Sequence, residues 1–123
     1  MTSRNVETWP FEPAVREVVV LLAGGKYAAI ERLTGGVRLT AAEIRQAVKE
    51  YPYRPAVPPP ELAPPLDVVQ IRAKPGASRA WSVGVDMWSV AEGRSDLTLQ
   101  LTVRADPTRP GGFAIEFDDL HVL

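Results

Sequence analysis

The stretch Asp96-Leu97-Thr98-Leu99-Gln100-Leu101-Thr102-Val103-Arg104 carries a large aliphatic side chain at every odd position and a polar one at every even position. Successive side chains of an extended chain leave opposite faces, so this pattern predicts a strand with one dry face made of Leu97, Leu99, Leu101 and Val103. The run Phe113–Asp118 repeats it with Phe113, Ile115 and Phe117, and Asp106-Pro107-Thr108-Arg109-Pro110-Gly111-Gly112 supplies turn residues between the two. The pair reads as neighbouring antiparallel strands. Everything upstream has to cover their apolar face.

That cover reads as helical. A first helix is predicted to open at Pro10–Pro13, where a missing N–H costs nothing, with Glu12 suited to the positive helix end. Val15, Val18, Val19 and Leu22 then form the buried stripe, and Gly24-Gly25 is the expected left-handed stop. The β-branched run Val18-Val19-Val20 also suits a strand, but the signals at both ends and the length of the run decide for a helix. A second, short helix over Lys26–Leu33 places Tyr27, Ile30 and Leu33 on one side and ends at Thr34-Gly35-Gly36. Thr40-Ala41-Ala42-Glu43 matches a capping box and opens a third helix over Ala41–Tyr51, with Ile44, Ala47, Val48 and Tyr51 inward and Pro52 as its stop.

Residues 52–65 hold seven of the twelve prolines and almost no periodicity, which predicts an extended connector between helices and sheet. Leu66–Ala73 reads as the first strand, Lys74–Ser78 as its turn, and Trp81, Val83, Val85 and Met87 alternate with Ser82, Gly84, Asp86 and Trp88 in the second. The expectation is an α+β domain: about three N-terminal helices packed on one face of a four-stranded antiparallel meander, spanning residues 10–123 after a tail, 1–9, pinned by Trp9. Its core is expected to hold Val15, Val18, Val19, Leu22, Ile44, Val48, Leu97, Leu99, Leu101 and Phe117. A chain of 123 residues can bury about two-thirds of its unfolded surface in one such core. The topology resembles the cystatin-like and NTF2-like folds, which host many functions.

Composition narrows the function. Without Cys, thiolate metal sites, cysteine nucleophiles and disulfides are excluded. Lys and Arg number 14 against 15 Asp and Glu and are scattered singly, so no field attracts a polyanion and nucleic acid is not an expected partner. The first residues lack the basic-then-apolar pattern of a secretory signal, and the apolar run Val18–Ala23 is far short of a membrane span. A soluble, cytoplasmic chain with no membrane partner is expected.

Motifs for chemistry are sparse. Gly24-Gly25-Lys26 and Gly35-Gly36 lack the spacing and preceding strand of a phosphate loop, and no Gly-x-Ser-x-Gly, His-Glu-x-x-His or paired-Cys motif occurs. No catalytic residue, metal set or cofactor is assigned. The C-terminal Glu116, Asp118, Asp119 and His121 offer carboxylates and one imidazole for acid–base work or a cation, yet on a strand Glu116 and Asp118 lie opposite the apolar face. A bulge at Asp118-Asp119 would turn Leu120 and Val122 inward and leave His121 outside, where its loss should cost little.

Ala91-Glu92-Gly93-Arg94-Ser95-Asp96 reads as a hairpin connection in which Ser95 or Asp96 bonds the turn backbone and Arg94 either pairs with a neighbour or offers a bidentate anion contact. Trp88 differs in parity from Trp81, so it is expected on the outer face with Asp86, as a contact residue, unless a bulge near Met87 intervenes. Asp86 could also line a small pocket with Tyr51 or Tyr53.

Several of these stretches resemble a family of small bacterial proteins defined as a domain of unknown function: Val18-Val19-Val20-Leu21-Leu22, Leu33-Thr34-Gly35-Gly36, Leu39-Thr40-Ala41-Ala42-Glu43-Ile44, the Trp81 and Trp88 strand, Glu92-Gly93-Arg94-Ser95-Asp96-Leu97-Thr98-Leu99 and Asp118-Asp119-Leu120-His121-Val122-Leu123. The resemblance implies a self-contained bacterial domain and brings no activity or catalytic residue. The function expected from the residues is a non-catalytic binding or protein-interaction domain, with Trp88, Asp86, Arg94, Asp96, Glu116, Asp118 and His121 as contact candidates. A protein partner or self-association is favoured, and a small-molecule ligand stays open. One form is an immunity-type protein that neutralises a partner toxin. The rival is an NTF2-like ligand-binding protein or enzyme using His121 with Asp118 or Asp119.

Overall fold

Helix α1 runs over Glu12–Ala23 and buries the predicted stripe, Val15, Val18, Val19 and Leu22. The computed structural model describes residues 9–72 and 74–122; the expected tail therefore lies outside the described residues except for Trp9, whose indole stacks on Phe11 at 5.4 Å. At its other end α1 closes through a double bond pattern: the Gly25 N–H reaches the Leu22 carbonyl and the Lys26 N–H the Leu21 carbonyl. This closure needs a left-handed residue, and Gly25 has φ +71°.

Helix α2, Tyr27–Thr34, buries Ile30 and Thr34 and ends on left-handed Gly35. Helix α3, Ala41–Glu50, carries the complete capping box: the Glu43 N–H donates to Thr40 Oγ1, and the Thr40 N–H donates to Glu43 Oε1 at 2.9 Å. Glu31 of α2 adds a third acceptor, taking the Ala41 N–H. Tyr51 is the cap rather than the last helical residue. Replacing Thr40 with Ala is expected to cost about 1 kcal/mol in urea unfolding; an unchanged midpoint would show that Glu31 alone suffices to cap α3.

Among the described residues the sheet has five strands: β1 Pro55–Ala56, β2 Asp67–Ile71, β3 Ala80–Ser89, β4 Gly93–Ala105 and β5 Phe113–Val122. All pairs are antiparallel, and β2-β3-β4-β5 is the predicted meander. The addition is β1. The proline connector is not wholly unpaired, because Pro55 and Ala56 lie opposite Ser89 and Trp88 at the far end of β3. A single-turn 3-10 helix, Pro60–Leu62, follows before the chain rejoins the same edge as β2. The Arg16 guanidinium ties this strap to α1 by donating to the Pro64 carbonyl at 2.9 Å and to Glu12 Oε2 at 3.1 Å.

One apolar cluster joins the helices to the inner sheet face, with Val83, Val85 and Met87 from β3, Leu97, Leu99, Leu101 and Val103 from β4, and Ile115, Phe117 and Leu120 from β5. Of the expected core, only Val48 is half-buried; it packs against the edge of the cluster. Phe11, which the sequence pattern does not single out, is among its largest fully buried side chains. Among the described residues no helix is long and apolar enough to cross a membrane.

Candidate functional site

The face of the sheet away from the helices collects the even-numbered side chains of β3 and β4. Ser82, Gly84, Asp86 and Trp88 alternate in burial with the core residues between them; on β4 Gln100 is half-buried, while Thr98 and Thr102 on the same face are buried. An irregularity separates the pairs Asp86↔Thr98 and Trp88↔Arg94. Two residues on β3 here span four on β4, so the insertion is even and parity survives. Trp88 therefore stays on the outer face as expected, with Asp86 beside it.

On β5 the insertion is a single residue. Gln100 lies opposite Asp119 but Leu101 opposite Phe117, which makes Asp118 the bulge. The flip sends Leu120 into the core and keeps His121 on the outer face, opposite Thr98. Asp86, Thr98 and His121 thus form one row across three strands. Gly84, Gln100 and Asp119 form the next, and Ser82, Thr102 and Glu116 the third.

Two clusters divide this face. In the first, Glu116 and Asp118 are clamped: Arg104 Nε donates to Glu116 Oε2 at 2.9 Å, Arg38 Nε lies 3.4 Å from both carboxylates, and Thr102 Oγ1 donates to Asp118 at 2.5 Å. Two guanidiniums on two carboxylates make a neutral clamp joining the α2–α3 loop to β5. Arg38, in a loop, carries no signal in the sequence. In the second cluster an Arg94 terminal nitrogen donates to Asp86 Oδ2 at 2.6 Å, and Trp88 lies over Gly93, whose φ is +75°.

Gly93 begins β4, so the hairpin turn is shorter than the connection read from sequence. Ser89 Oγ accepts the Glu92 N–H within it, while Ser95 Oγ accepts the Leu97 N–H at the irregularity. Asp96 points to solvent in that irregular stretch and is the one candidate left apart from the others. Nor do Tyr51 and Tyr53 join Asp86. They lie against each other at 5.9 Å and line a depression of about 310 Å³ with Leu22, Tyr27 and Pro55 on the helical side. Tyr51 donates from its hydroxyl to Glu92 at 2.7 Å.

Among the described residues four buried side-chain atoms have no hydrogen-bond partner: Trp88 Nε1, Thr98 Oγ1, Asp118 Oδ1 and His121 Nδ1. All lie on the outer face. Asp118 Oδ1 has Arg38 at 3.4 Å, and His121 Nδ1 has Asp119 Oδ2 at 3.0 Å but out of line for a hydrogen bond. An unpaired polar atom held from water costs about 1–3 kcal/mol, so the face is under-satisfied where the binding candidates meet.

Chemistry on this face meets a limit of geometry. Thr98 and His121 are opposite one another with Asp119 behind the imidazole, yet Thr98 Oγ1 is sealed and bonds to nothing. His121 keeps 37% side-chain exposure and Asp119 59%. The larger concavity, about 1150 Å³, lies elsewhere, between α1 and the proline strap, lined by Trp9, Val19, Val20, Val57, Leu66 and Val68 among others. Among the described residues no three metal-ligating side chains converge. Replacing His121 with Ala is expected to cost less than about 1 kcal/mol, as for a half-exposed side chain without a formed hydrogen bond; thermal unfolding of the variant checks this, and a loss above about 2 kcal/mol would make the imidazole structural.

A family model described as Domain of unknown function (DUF7668) matches residues 19–123, from the middle of α1 onward. Neither curated proteins nor solved structures give a match.

Proposed function

We propose, for a chain that belongs to the family Domain of unknown function (DUF7668), a reading drawn from its own geometry: it is a non-catalytic binding domain, and the outer sheet face around Trp88 is where a protein partner docks. One observation carries it. Among the described residues no helix covers the face on which Trp88 sits, its ring is half-buried there, and Arg94 and Asp86 stand beside it as a pair at the surface. Trp and Arg are the residues most enriched at the centres of protein interfaces, because a large planar side chain gives much contact area for little lost freedom.

The test is affinity capture from the producing cell, using wild-type chain, Trp88→Ala and Arg94→Glu side by side, each shown to be folded by circular dichroism. A protein retained by the wild type and reduced at least tenfold in both variants supports the reading. Equal retention by all three, or no protein that distinguishes them, contradicts it. The α1–strap groove favours a second reading, a small apolar ligand seated against Val19, Val20, Val57 and Leu66. Native mass spectrometry of the purified chain decides for that reading if it shows a retained small molecule.

A further inference from the structure

We infer that two copies of this chain pair through the free edge of β2, extending the sheet across a two-fold axis. The strand Asp67-Val68-Val69-Gln70-Ile71 pairs with β3 on one side only. Its other side presents alternate backbone N–H and C=O groups to solvent. Edge strands are usually blunted by inward charges, prolines, lysines or bulges; this one has none of these within its five residues, and the guards stand just outside, at Pro64-Pro65 and Lys74-Pro75. The opposite edge differs, since β5 is flanked by α2 and α3.

The strand's own sequence names its occupant. Asp67, Val69 and Ile71 lie on the outer face, and Val69 and Ile71 are 60% and 38% exposed although both are strong strand formers. A two-fold axis perpendicular to the sheet keeps each face on its own side, so only residues of equal parity can be opposed. Centred on Gln70, it pairs Val69 with Ile71 of the second copy and Ile71 with its Val69. Four exposed apolar side chains then cover one another, and cross-strand β-branched pairs are the stabilising unit of a sheet.

Charge agrees with this orientation. The β2 start is acidic, with Asp67 and, on the strap, Glu61, and the end is basic, with Arg72 and Lys74. Antiparallel pairing sets the acidic end of each copy beside the basic end of the other. The contact is isologous, so it closes at two copies instead of propagating. It is also short, which places it in the weak class of interfaces.

Light scattering and sedimentation of the full chain test this. The weight-average mass is expected to rise from 13.4 kDa at low concentration toward twice that value at concentrations on the order of 100 µM, as suits a small interface. Val69→Lys, at an exposed position that leaves the core untouched, should weaken the association at least tenfold. Hydrogen exchange of the wild type provides the second reading: amides of residues 67–71 gain protection as concentration rises, and those of β5 do not. A mass fixed at the monomer value throughout, Val69→Lys associating as the wild type does, or protection gained on the Trp88 face instead of β2 would overturn the inference. The last outcome would leave the proposed partner face intact while removing the β2 contact.

Discussion

Leu101→Ala is expected to lower the unfolding free energy by about 4 kcal/mol, a large share of the total for a domain whose stability lies at roughly 5–15 kcal/mol. Leu101 is fully buried at the centre of the sheet, opposite Val83 on β3 and Phe117 on β5. All three point toward α1 and Ile44, so truncation leaves a void with packed groups on every side. Neighbours held by two strand ladders and a helix layer cannot collapse into it, and the cavity then adds to the lost transfer energy. Urea unfolding followed by circular dichroism reads the loss. A change below about 1 kcal/mol would mean that this strand face does not look into the core.

Phe11→Ala should cost about as much, roughly 3–5 kcal/mol. Phe11 caps the start of α1 and is 1% exposed, and its ring meets Trp81 at 5.3 Å and Phe113 at 5.6 Å while carrying Trp9 on its other side. It is the point where the first helix is anchored to both β3 and β5. Aromatic pairs in offset or edge-on contact contribute beyond their buried area, so several favourable contacts vanish together. Because Trp9 and Trp81 both lose a packed neighbour, tryptophan emission of the folded variant should shift to the red along with the lower midpoint. Wild-type stability with unchanged emission would contradict the anchoring role.

The contrast between these two residues shows what the sequence made legible. Leu101 lies in a period-2 run whose dry face can be read directly, because a strand pairing on both sides must keep strict alternation. The capping box at Thr40 and the stop at Gly24-Gly25 were equally readable, since each follows from backbone groups within a single turn. Phe11 precedes the helical periodicity, and only the tertiary arrangement brings β3 and β5 to it. The same holds for β1: Pro55 and Ala56 have no strand pattern of their own and pair only because the strap returns to the edge of β3.

The outer face was legible in part for the same reason. Parity placed Trp88 beside Asp86, and the repeated aspartates marked the bulge that turns His121 outward. What parity could not supply were the partners that cross between elements. Arg38 reaches Glu116 and Asp118 from a loop, tying up two carboxylates of the C-terminal cluster read for acid–base work or a cation in a neutral clamp. The two-residue insertion in β4 was also hidden, since an even insertion leaves the alternation of Leu97–Val103 undisturbed.

Site-specific photocrosslinking in the producing cell tests most directly whether the Trp88 face is a partner surface. A benzoylphenylalanine placed at Arg94, 68% exposed at its side chain and adjacent to Trp88 across the hairpin, reports what touches that face; one placed at Arg45, exposed on α3, serves as the control. The account predicts a discrete protein adduct from position 94 that is absent from position 45 and is lost when Trp88→Ala is added. Equal adducts from both positions, or none from position 94, would contradict it.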